Sequence, residues 1–120
     1  QILNTMKTNN HIYYIEFKAK SLKKIKAFYS KCFDWKFTDY GETYTAFSNG
    51  GIEGGFETSF DNVINGVLVV LYHEKLNPCK ENIIAAGGTI PKDIFAFPGG
   101  QRFHFLDPSG NELAVWSDKH

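Results

Sequence analysis

The first half of the chain alternates between strand-like and helix-like patterns of apolar residues. Residues 11–17 are rich in β-branched and aromatic side chains and have the length of a strand. Ser21 then precedes apolar positions spaced by three and four residues, which is the spacing of one helix face, and serine is a common N-cap. These apolar positions are Leu22, Ile25, Phe28, Tyr29 and Cys32. Three segments of alternating character follow and predict strands at 35–40, 43–48 and 52–57.

The second half of the chain repeats this order. Residues 67–72 form a nearly continuous run of Val and Leu, which is typical of a strand buried on both faces. A second helix is predicted next, with Asn77 as its N-cap, Pro78 at its first position and a Gly-Gly pair at its end. Its apolar positions are Cys79, Ile83, Ile84 and Ala86. Three more strands are predicted at 89–96, 101–106 and 112–117.

Two halves with the same βαβββ order form an internal repeat, and this repeat decides the fold prediction. We expect an α+β fold in one domain at 11–120 after an N-terminal tail at 1–10, with modules at 11–58 and 66–117. A lone module exposes its sheet edges, so we expect the two modules to pair. With both helices outside, the concave inner face of the mixed sheet would form a cleft. A ferredoxin-like sandwich fits less well, because it has only four strands.

Charge and hydropathy exclude several kinds of partner. The 120 residues include 13 basic and 13 acidic side chains, so the formal net charge is zero and no single-sign field attracts nucleic acid. A cluster of lysines at 18–26 falls on the polar side of the first predicted helix and is interpreted as a solvated face. No apolar run approaches the roughly 20 residues of a membrane span, and the polar opening lacks the layout of a signal peptide. We therefore expect a cytoplasmic protein without nucleic-acid or membrane partners.

The two cysteines give no sign of a metal site or a disulfide framework. Cys32 and Cys79 are 47 positions apart and belong to no CxxC pair. Both fall on the apolar side of a predicted helix, where a free cysteine behaves as a small hydrophobic residue. We expect two buried thiols.

Two stretches of the sequence resemble the vicinal oxygen chelate superfamily, which contains glyoxalase I, bleomycin-resistance proteins, fosfomycin-resistance enzymes and extradiol dioxygenases. The first is Ile15-Glu16-Phe17 followed by Ser21-Leu22, Ala27-Phe28-Tyr29 and the segment 32–37. The second is the segment 103–113, with Asp107-Pro108-Ser109-Gly110-Asn111 in its turn. The resemblance extends from His11 to Trp116 and implies the paired βαβββ fold. It also implies a homodimer, since sheets of this superfamily often complete their clefts through a partner.

The resemblance further implies four metal-ligand positions, one on the first and one on the last strand of each module. They fall on Tyr14, Gly55, Leu68 and Ala114. Divalent metals prefer imidazole, carboxylate or thiolate donors, and this set offers at most one phenol. The usual metal site is therefore not expected, and no cofactor is predicted.

The same four positions predict which other side chains point to the inner face, because residues two apart on a strand share a face. In the last hairpin, the turn at 107–111 places His104 opposite Ala114 and Arg102 opposite Trp116. The inner face then carries seven candidate ligand-binding residues: Tyr14, Glu16, Glu53, Arg102, His104, Glu112 and Trp116. The opposite face of the last two strands is wholly apolar, with Phe103, Phe105, Leu113 and Val115, and suits packing against a helix.

Three interpretations of the inner-face residues remain open. Glu16 with Arg102, and Glu112 with His104, can form ion pairs without chemistry. Alternatively, the seven residues contact a ligand, since aromatic walls with a few convergent polar groups are typical of small-molecule sites. The third interpretation is catalysis, with Glu16, His104 and Glu112 as candidates, or a displaced metal site that adds Glu53.

The function predicted from the sequence is the binding of a small aromatic or amphipathic molecule in the cleft, without the usual divalent metal, as in bleomycin-resistance-type proteins. The alternative is a metal-dependent lyase or dioxygenase of the glyoxalase I type that uses a displaced ligand set. An interaction module without any ligand is a third reading. A small molecule and a second copy of the chain are thus the expected partners.

Overall fold

The computed structural model describes residues 7–59, 66–108 and 110–119. These residues contain two helices and eight strands in the order expected from the sequence, which confirms an α+β fold with two βαβββ modules. The strands of the first module are β1 (Ile12–Ala19), β2 (Lys36–Asp39), β3 (Tyr44–Ser48) and β4 (Glu53–Thr58), and its helix is α1 (Leu22–Phe33). The second module has β5 (Val67–Tyr72), α2 (Leu76–Ala85), β6 (Thr89–Phe97), β7 (Gly100–Leu106) and β8 (Glu112–Ser117).

The ends of α1 follow the local chemistry of the sequence. The Ser21 hydroxyl accepts a hydrogen bond from the backbone N–H of Lys24 at 3.2 Å, which confirms the predicted N-cap. Asp34 ends the helix in the left-handed conformation, and its N–H donates to the Ser30 carbonyl at 3.1 Å. This turn directs the chain into β2.

The start of α2 differs from the prediction. Lys75, not Asn77, is the N-cap, and its side chain makes no capping hydrogen bond. Its backbone N–H instead donates to the His73 ring at 2.9 Å. Pro78 therefore lies at the third position of the helix, where its missing N–H still costs no intrahelical bond.

Two compact units can be distinguished along the chain, one formed by residues 14–59 and 66–68 and the other by residues 7–13, 69–108 and 110–119. In the first unit, the strand order is β2-β3-β4-β1, with β1 parallel to β4. The helix α1 covers one face of this sheet, and the core contains Ala19, Phe47 and Phe56. Among the residues packed against this core are Phe17, Leu22, Ile25, Tyr29 and Trp35.

In the second unit, the strand order is β5-β8-β7-β6, with β5 parallel to β8 and the other pairs antiparallel. Its core contains Leu76, Phe103 and Val115, with Cys79 and Ile83 from α2 packed against it. Residues 7–13 also belong to this unit, since the Asn10 N–H donates to the Tyr72 carbonyl at 2.8 Å.

Several residues predicted to be buried are exposed. Phe28 is 54% exposed, Ile84 is 52% exposed and Val67 is 52% exposed. Cys32 is exposed as well, so the expectation of two buried thiols is wrong for Cys32, whereas Cys79 is partly buried. On the two helices, the residues that pack against the cores do not include Phe28 or Ile84, so the packed stripe is narrower than the apolar spacing. Val67 is the first residue of its strand.

Neither helix in the described part of the chain is long and apolar enough to cross a membrane.

Candidate functional site

The sheet face of the first module that points away from α1 carries the polar candidates of that module, and we call it the first polar face. Strand pairing places Tyr14 beside Glu53 and Glu16 beside Gly55 on β1 and β4. Because side chains alternate along a strand, these residues lie on the face opposite Phe17 and Phe56, which pack in the core. Tyr14, Glu16 and Glu53 therefore share one face of the sheet, and their contact with a ligand stays a prediction.

A tyrosine that the sequence reasoning missed lies across this face. Tyr44 on β3 extends over Gly55 on β4, and a Cβ atom added at Gly55 would overlap the Tyr44 hydroxyl. The glycine is required by this close approach, since any larger residue would displace the phenol ring. A glycine inside a strand next to an aromatic-rich strand is the sequence signal that could have indicated such an arrangement.

Tyr14, Tyr44 and Glu16 form one hydrogen-bonded chain. The two phenol oxygens lie 2.5 Å apart, and the Tyr44 hydroxyl donates to Glu16 Oε1 at 3.3 Å. With its proton directed to Glu16, Tyr44 accepts the hydrogen bond that Tyr14 donates. Glu16 is only 6% exposed.

Both phenols of this chain are held in the neutral form. Burial raises the pKa of Tyr14 to about 12, and the nearby carboxylates of Glu16 and Glu53 act in the same direction. Burial also raises the pKa of Tyr44, together with its hydrogen bond to Tyr14 and the charge of Glu16. The first polar face thus presents hydrogen-bonded neutral groups around one carboxylate.

The corresponding face of the second module points away from α2, and we call it the second polar face. Arg102 pairs with Trp116, His104 with Ala114, and Leu106 with Glu112 across β7 and β8, so the predicted register of this hairpin is confirmed. On the opposite face, Phe103 and Val115 are buried in the core, in agreement with the predicted apolar set.

His104 is the central polar residue of this face. It is 6% exposed, and its Nδ1 atom lies 2.8 Å from Glu112 Oε2, while the Glu112 side chain is half exposed. Burial lowers the pKa of His104, and the opposing effect of the Glu112 hydrogen bond is smaller. The imidazole is therefore neutral at neutral pH, although Glu112 lies beside it.

The contact with Glu112 fixes which ring nitrogen carries the proton. An ionised carboxylate only accepts hydrogen bonds, so Nδ1–H donates to Glu112 and Nε2 keeps its lone pair. Nε2 is buried, and within the described part of the chain it has no hydrogen-bond partner. The second polar face therefore contains a buried acceptor that no described residue uses.

Aromatic rings and positive charges surround this acceptor. The Phe95 ring lies 6.1 Å from the His104 ring, centroid to centroid. The Lys92 ammonium is 4.8 Å from the Phe95 ring centroid, and the Arg102 guanidinium is 5.4 Å from Phe95 and 5.6 Å from Phe97. These distances are within the range of cation–π contacts. Lys92, Phe95 and Phe97 on β6 were missed because the register shifts in the β6–β7 pairing hide their face from a simple alternation rule.

Trp116 forms an aromatic wall with little freedom to move. Its indole N–H donates to the Gly99 carbonyl at 3.1 Å, and its ring stacks on Tyr13 at 5.1 Å. Tyr72 contacts it edge to face at 5.5 Å. The indole offers a ligand an apolar surface, because its only donor already has an acceptor.

The four positions that correspond to metal ligands do not fit a divalent ion. Gly55 has no side chain, Leu68 is apolar, and Ala114 is fully buried against His104 and Val70 in the strand pairing. The remaining donor is the Tyr14 phenol, which is hydrogen-bonded to Tyr44, and one phenol alone offers a divalent ion too few ligands.

The displaced metal set stays a prediction, because Glu16 and Glu53 lie in one unit and His104 and Glu112 lie in the other. Among the residues that the structure describes, no group of three or more His, Cys, Asp or Glu side chains is placed to hold a metal ion.

Comparison with known proteins relates the chain to a fold rather than to a close relative. No protein-family model and no curated protein matches the sequence. Among solved structures, a hypothetical protein from Bacillus halodurans C-125 matches with a TM-score of 0.74 and 11% identity over 94% of this chain and 97% of its own. The Mn(II)-bound glyoxalase from Novosphingobium aromaticivorans matches with a TM-score of 0.69 and 20% identity, over 94% of this chain and 40% of the longer protein.

A third solved structure is of a protein named as a superfamily member. It is a glyoxalase/bleomycin resistance protein/dioxygenase superfamily member from Vibrio splendidus 12B01, with a TM-score of 0.64 and 10% identity over 87% of this chain and 96% of its own. Identities of this size relate folds and not activities. The two βαβββ modules together with these matches show that the chain has the fold of the glyoxalase/bleomycin resistance protein/dioxygenase superfamily.

Proposed function

We propose that the chain is a small-molecule-binding protein of this fold, and that its second polar face contacts the ligand without the divalent metal usual in the superfamily. The observation that carries this proposal is the buried Nε2 atom of His104, which has no hydrogen-bond partner among the described residues. We further propose that the protein works in the cytoplasm as a homodimer.

The energetic cost of this nitrogen supports a role in recognition. A buried acceptor without a partner costs about 1–3 kcal/mol of folding free energy. Such groups are rare in folded proteins, and a bound molecule is one physical reason to keep one. Because the nitrogen lies among phenylalanine rings and cationic side chains, its surroundings match those of small-molecule sites.

The absence of suitable donors at Tyr14, Gly55, Leu68 and Ala114 supports a metal-independent function. The binding energy would then come from hydrogen bonding, ring contacts and charge. The Mn(II) named for the Novosphingobium glyoxalase belongs to that protein.

The experiment is a screen for binding to chelator-treated protein. A diverse set of aromatic and amphipathic compounds is tested by NMR, with the imidazole signals of His104 as the readout. We expect binders that shift these signals and that are lost in His104→Phe but retained in His11→Asn, which changes an exposed histidine. Binding only after addition of Mn, Fe, Co, Ni or Zn, with stoichiometric metal lost in Glu112→Gln, would overturn the proposal in favour of the metal-dependent alternative.

The dimer is tested separately. Light scattering after size exclusion is expected to give a mass of twice 13.6 kDa at micromolar concentration. A monomer at all concentrations would contradict this part of the proposal and leave ligand binding to be judged by the screen.

A further inference from the structure

We propose that the second polar face selects an aromatic anion that also carries a hydroxyl group, with the hydroxyl donating to His104 Nε2 and the anion lying near Lys92 and Arg102. This inference rests on the proposed function and names the class of ligand for the same site.

The choice of a hydroxyl follows from the hydrogen-bond polarity of the imidazole. Glu112 accepts from Nδ1–H at 2.8 Å, so Nε2 can only accept. A ligand that offers only acceptors, such as an ether or a ketone, would bring a second lone pair to this nitrogen and leave both groups without a hydrogen bond. A hydroxyl or N–H group satisfies Nε2, so the site rejects isosteric compounds without a donor.

The negative charge follows from the side chains on the same face. Lys92 pairs with His104 across β6 and β7, and Arg102 lies two residues before His104 on β7, so both cations belong to the surroundings of the imidazole. The Glu112 carboxylate, which contacts the imidazole, is already bonded to Nδ1. An anionic ligand is therefore attracted, and a cationic ligand is repelled.

The aromatic character follows from the rings of Phe95 and Phe97. Both rings contact the Arg102 guanidinium, and Phe95 also lies beside the His104 ring. A flat ring in the ligand can stack on this surface, because offset stacking of aromatic rings is favourable.

Access to Nε2 requires a small rearrangement, because the atom is buried in this structure. Phe95 flanks the imidazole and lies on β6, the last strand in the order of its module. The β6–β7 pairing shifts register between Thr89 and Lys92 and again between Lys92 and Phe95. An incoming ring would therefore have to displace the Phe95 side chain from the imidazole.

The test compares matched ligands on chelator-treated protein by titration calorimetry. The probes are 3- and 4-hydroxybenzoate, the corresponding methoxybenzoates, which lack the donor, and the hydroxybenzamides, which lack the charge. We expect at least one hydroxybenzoate to bind about tenfold tighter than its methoxy and amide counterparts, since one buried hydrogen bond contributes about 1.4 kcal/mol.

Two variants assign this preference to the proposed groups. In Glu112→Gln, the amide can donate to Nδ1 and place the proton on Nε2, so the preference for hydroxybenzoate over methoxybenzoate should fall to about onefold or reverse. In Lys92→Gln, the affinities for hydroxybenzoate and methoxybenzoate should fall by the same factor, and the affinity for hydroxybenzamide should not change. The control Lys75→Gln, which changes an exposed lysine before α2, should alter none of these values.

The outcomes separate this inference from the proposed function. Equal affinity for hydroxy and methoxy probes in the unchanged protein would overturn the inference. An unchanged preference in Glu112→Gln would also overturn it when ¹⁵N shifts show that the imidazole proton of this variant is on Nε2. If the hydroxybenzoates do not bind while other compounds shift the His104 signals, the ligand class is wrong and the proposed function stands. If no compound of any class shifts these signals, both proposals fail.

Discussion

The polar faces of the two modules differ in how their buried polar groups are hydrogen-bonded. On the first, the buried groups satisfy one another: Tyr14 donates to Tyr44, which donates to Glu16. On the second, His104 uses one ring nitrogen on Glu112 and keeps the other buried without a partner among the described residues. The phenols and the carboxylate of the first face are hydrogen-bonded to one another, whereas the second face keeps an unsatisfied acceptor among its described residues.

This difference predicts that the first face contributes mainly to stability, and it supports the recognition role that we propose for the second. Removing one member of a satisfied buried network leaves its partner unpaired, which is costly. Removing an unsatisfied group costs little, because the folded state gains nothing from it. Mutations on the two faces should therefore separate folding from binding.

Replacing Gly55 with alanine should break the closed network of the first polar face. The new Cβ would displace the Tyr44 ring and with it both of its hydrogen bonds. We expect a loss of about 3 kcal/mol in the free energy of unfolding, measured by urea denaturation. The loss should largely disappear when Gly55→Ala is made in a Tyr44→Ser background, and a full loss there would show that Tyr44 is not the cause.

Replacing Tyr44 with phenylalanine tests the network without a steric clash. The substitution keeps the ring and removes the donor to buried Glu16, so we expect a loss of about 2 kcal/mol. Ligand affinity at the second polar face should be unchanged. Tyr40→Phe, at a tyrosine that is 64% exposed, is the matched control and should change stability little.

Glu112→Gln changes the second polar face and should lower the free energy of unfolding less than the two substitutions above. The Glu112 side chain is half exposed, so the altered hydrogen bond to His104 should cost about 1 kcal/mol of stability. The ligand preference should change far more than stability does. Glu81→Gln on α2 serves as a surface control. If Glu112→Gln lost more stability than Tyr44→Phe, the comparison between the two faces would be reversed.

The smallest effect is on the acid side of the pH profile. Because burial lowers the pKa of His104 in the folded state, the unfolded chain binds a proton at a pH where the folded chain does not. The stability linked to His104 is therefore complete above the ordinary value of about 6.5 and is lost as the pH falls through the lowered pKa. Urea denaturation between pH 8 and about 4 should show this loss in the unchanged protein and a flatter profile in His104→Phe.

Much of the fold could be predicted from the sequence because its signals are local and repeated. The eight strands and two helices follow from alternation, from the Ser21 cap and from the glycines after α2. The start of α2 was wrong because Asn77 and Pro78 suggest a cap more strongly than Lys75 does, and the backbone of Lys75 is held by His73 instead.

The candidate site was predicted less completely. Strand parity placed His104 opposite Ala114 and Glu112 near His104, because the hairpin turn fixes the register. Tyr44 and the β6 residues Lys92 and Phe95 were missed, since their positions depend on a close approach over Gly55 and on register shifts that no pattern of alternation shows. The proposed pairing of Glu16 with Arg102 joins the two units and stays a prediction.

The protonation state of His104 decides whether the second polar face can accept a hydrogen bond, and long-range ¹H–¹⁵N correlation of the imidazole at neutral pH without ligand measures it. We expect a neutral ring with the proton on Nδ1 and an unprotonated Nε2 whose nitrogen shift moves when a hydroxybenzoate binds. A ring protonated on Nε2, or an imidazolium, would contradict this expectation, because the second polar face would then have no acceptor to offer.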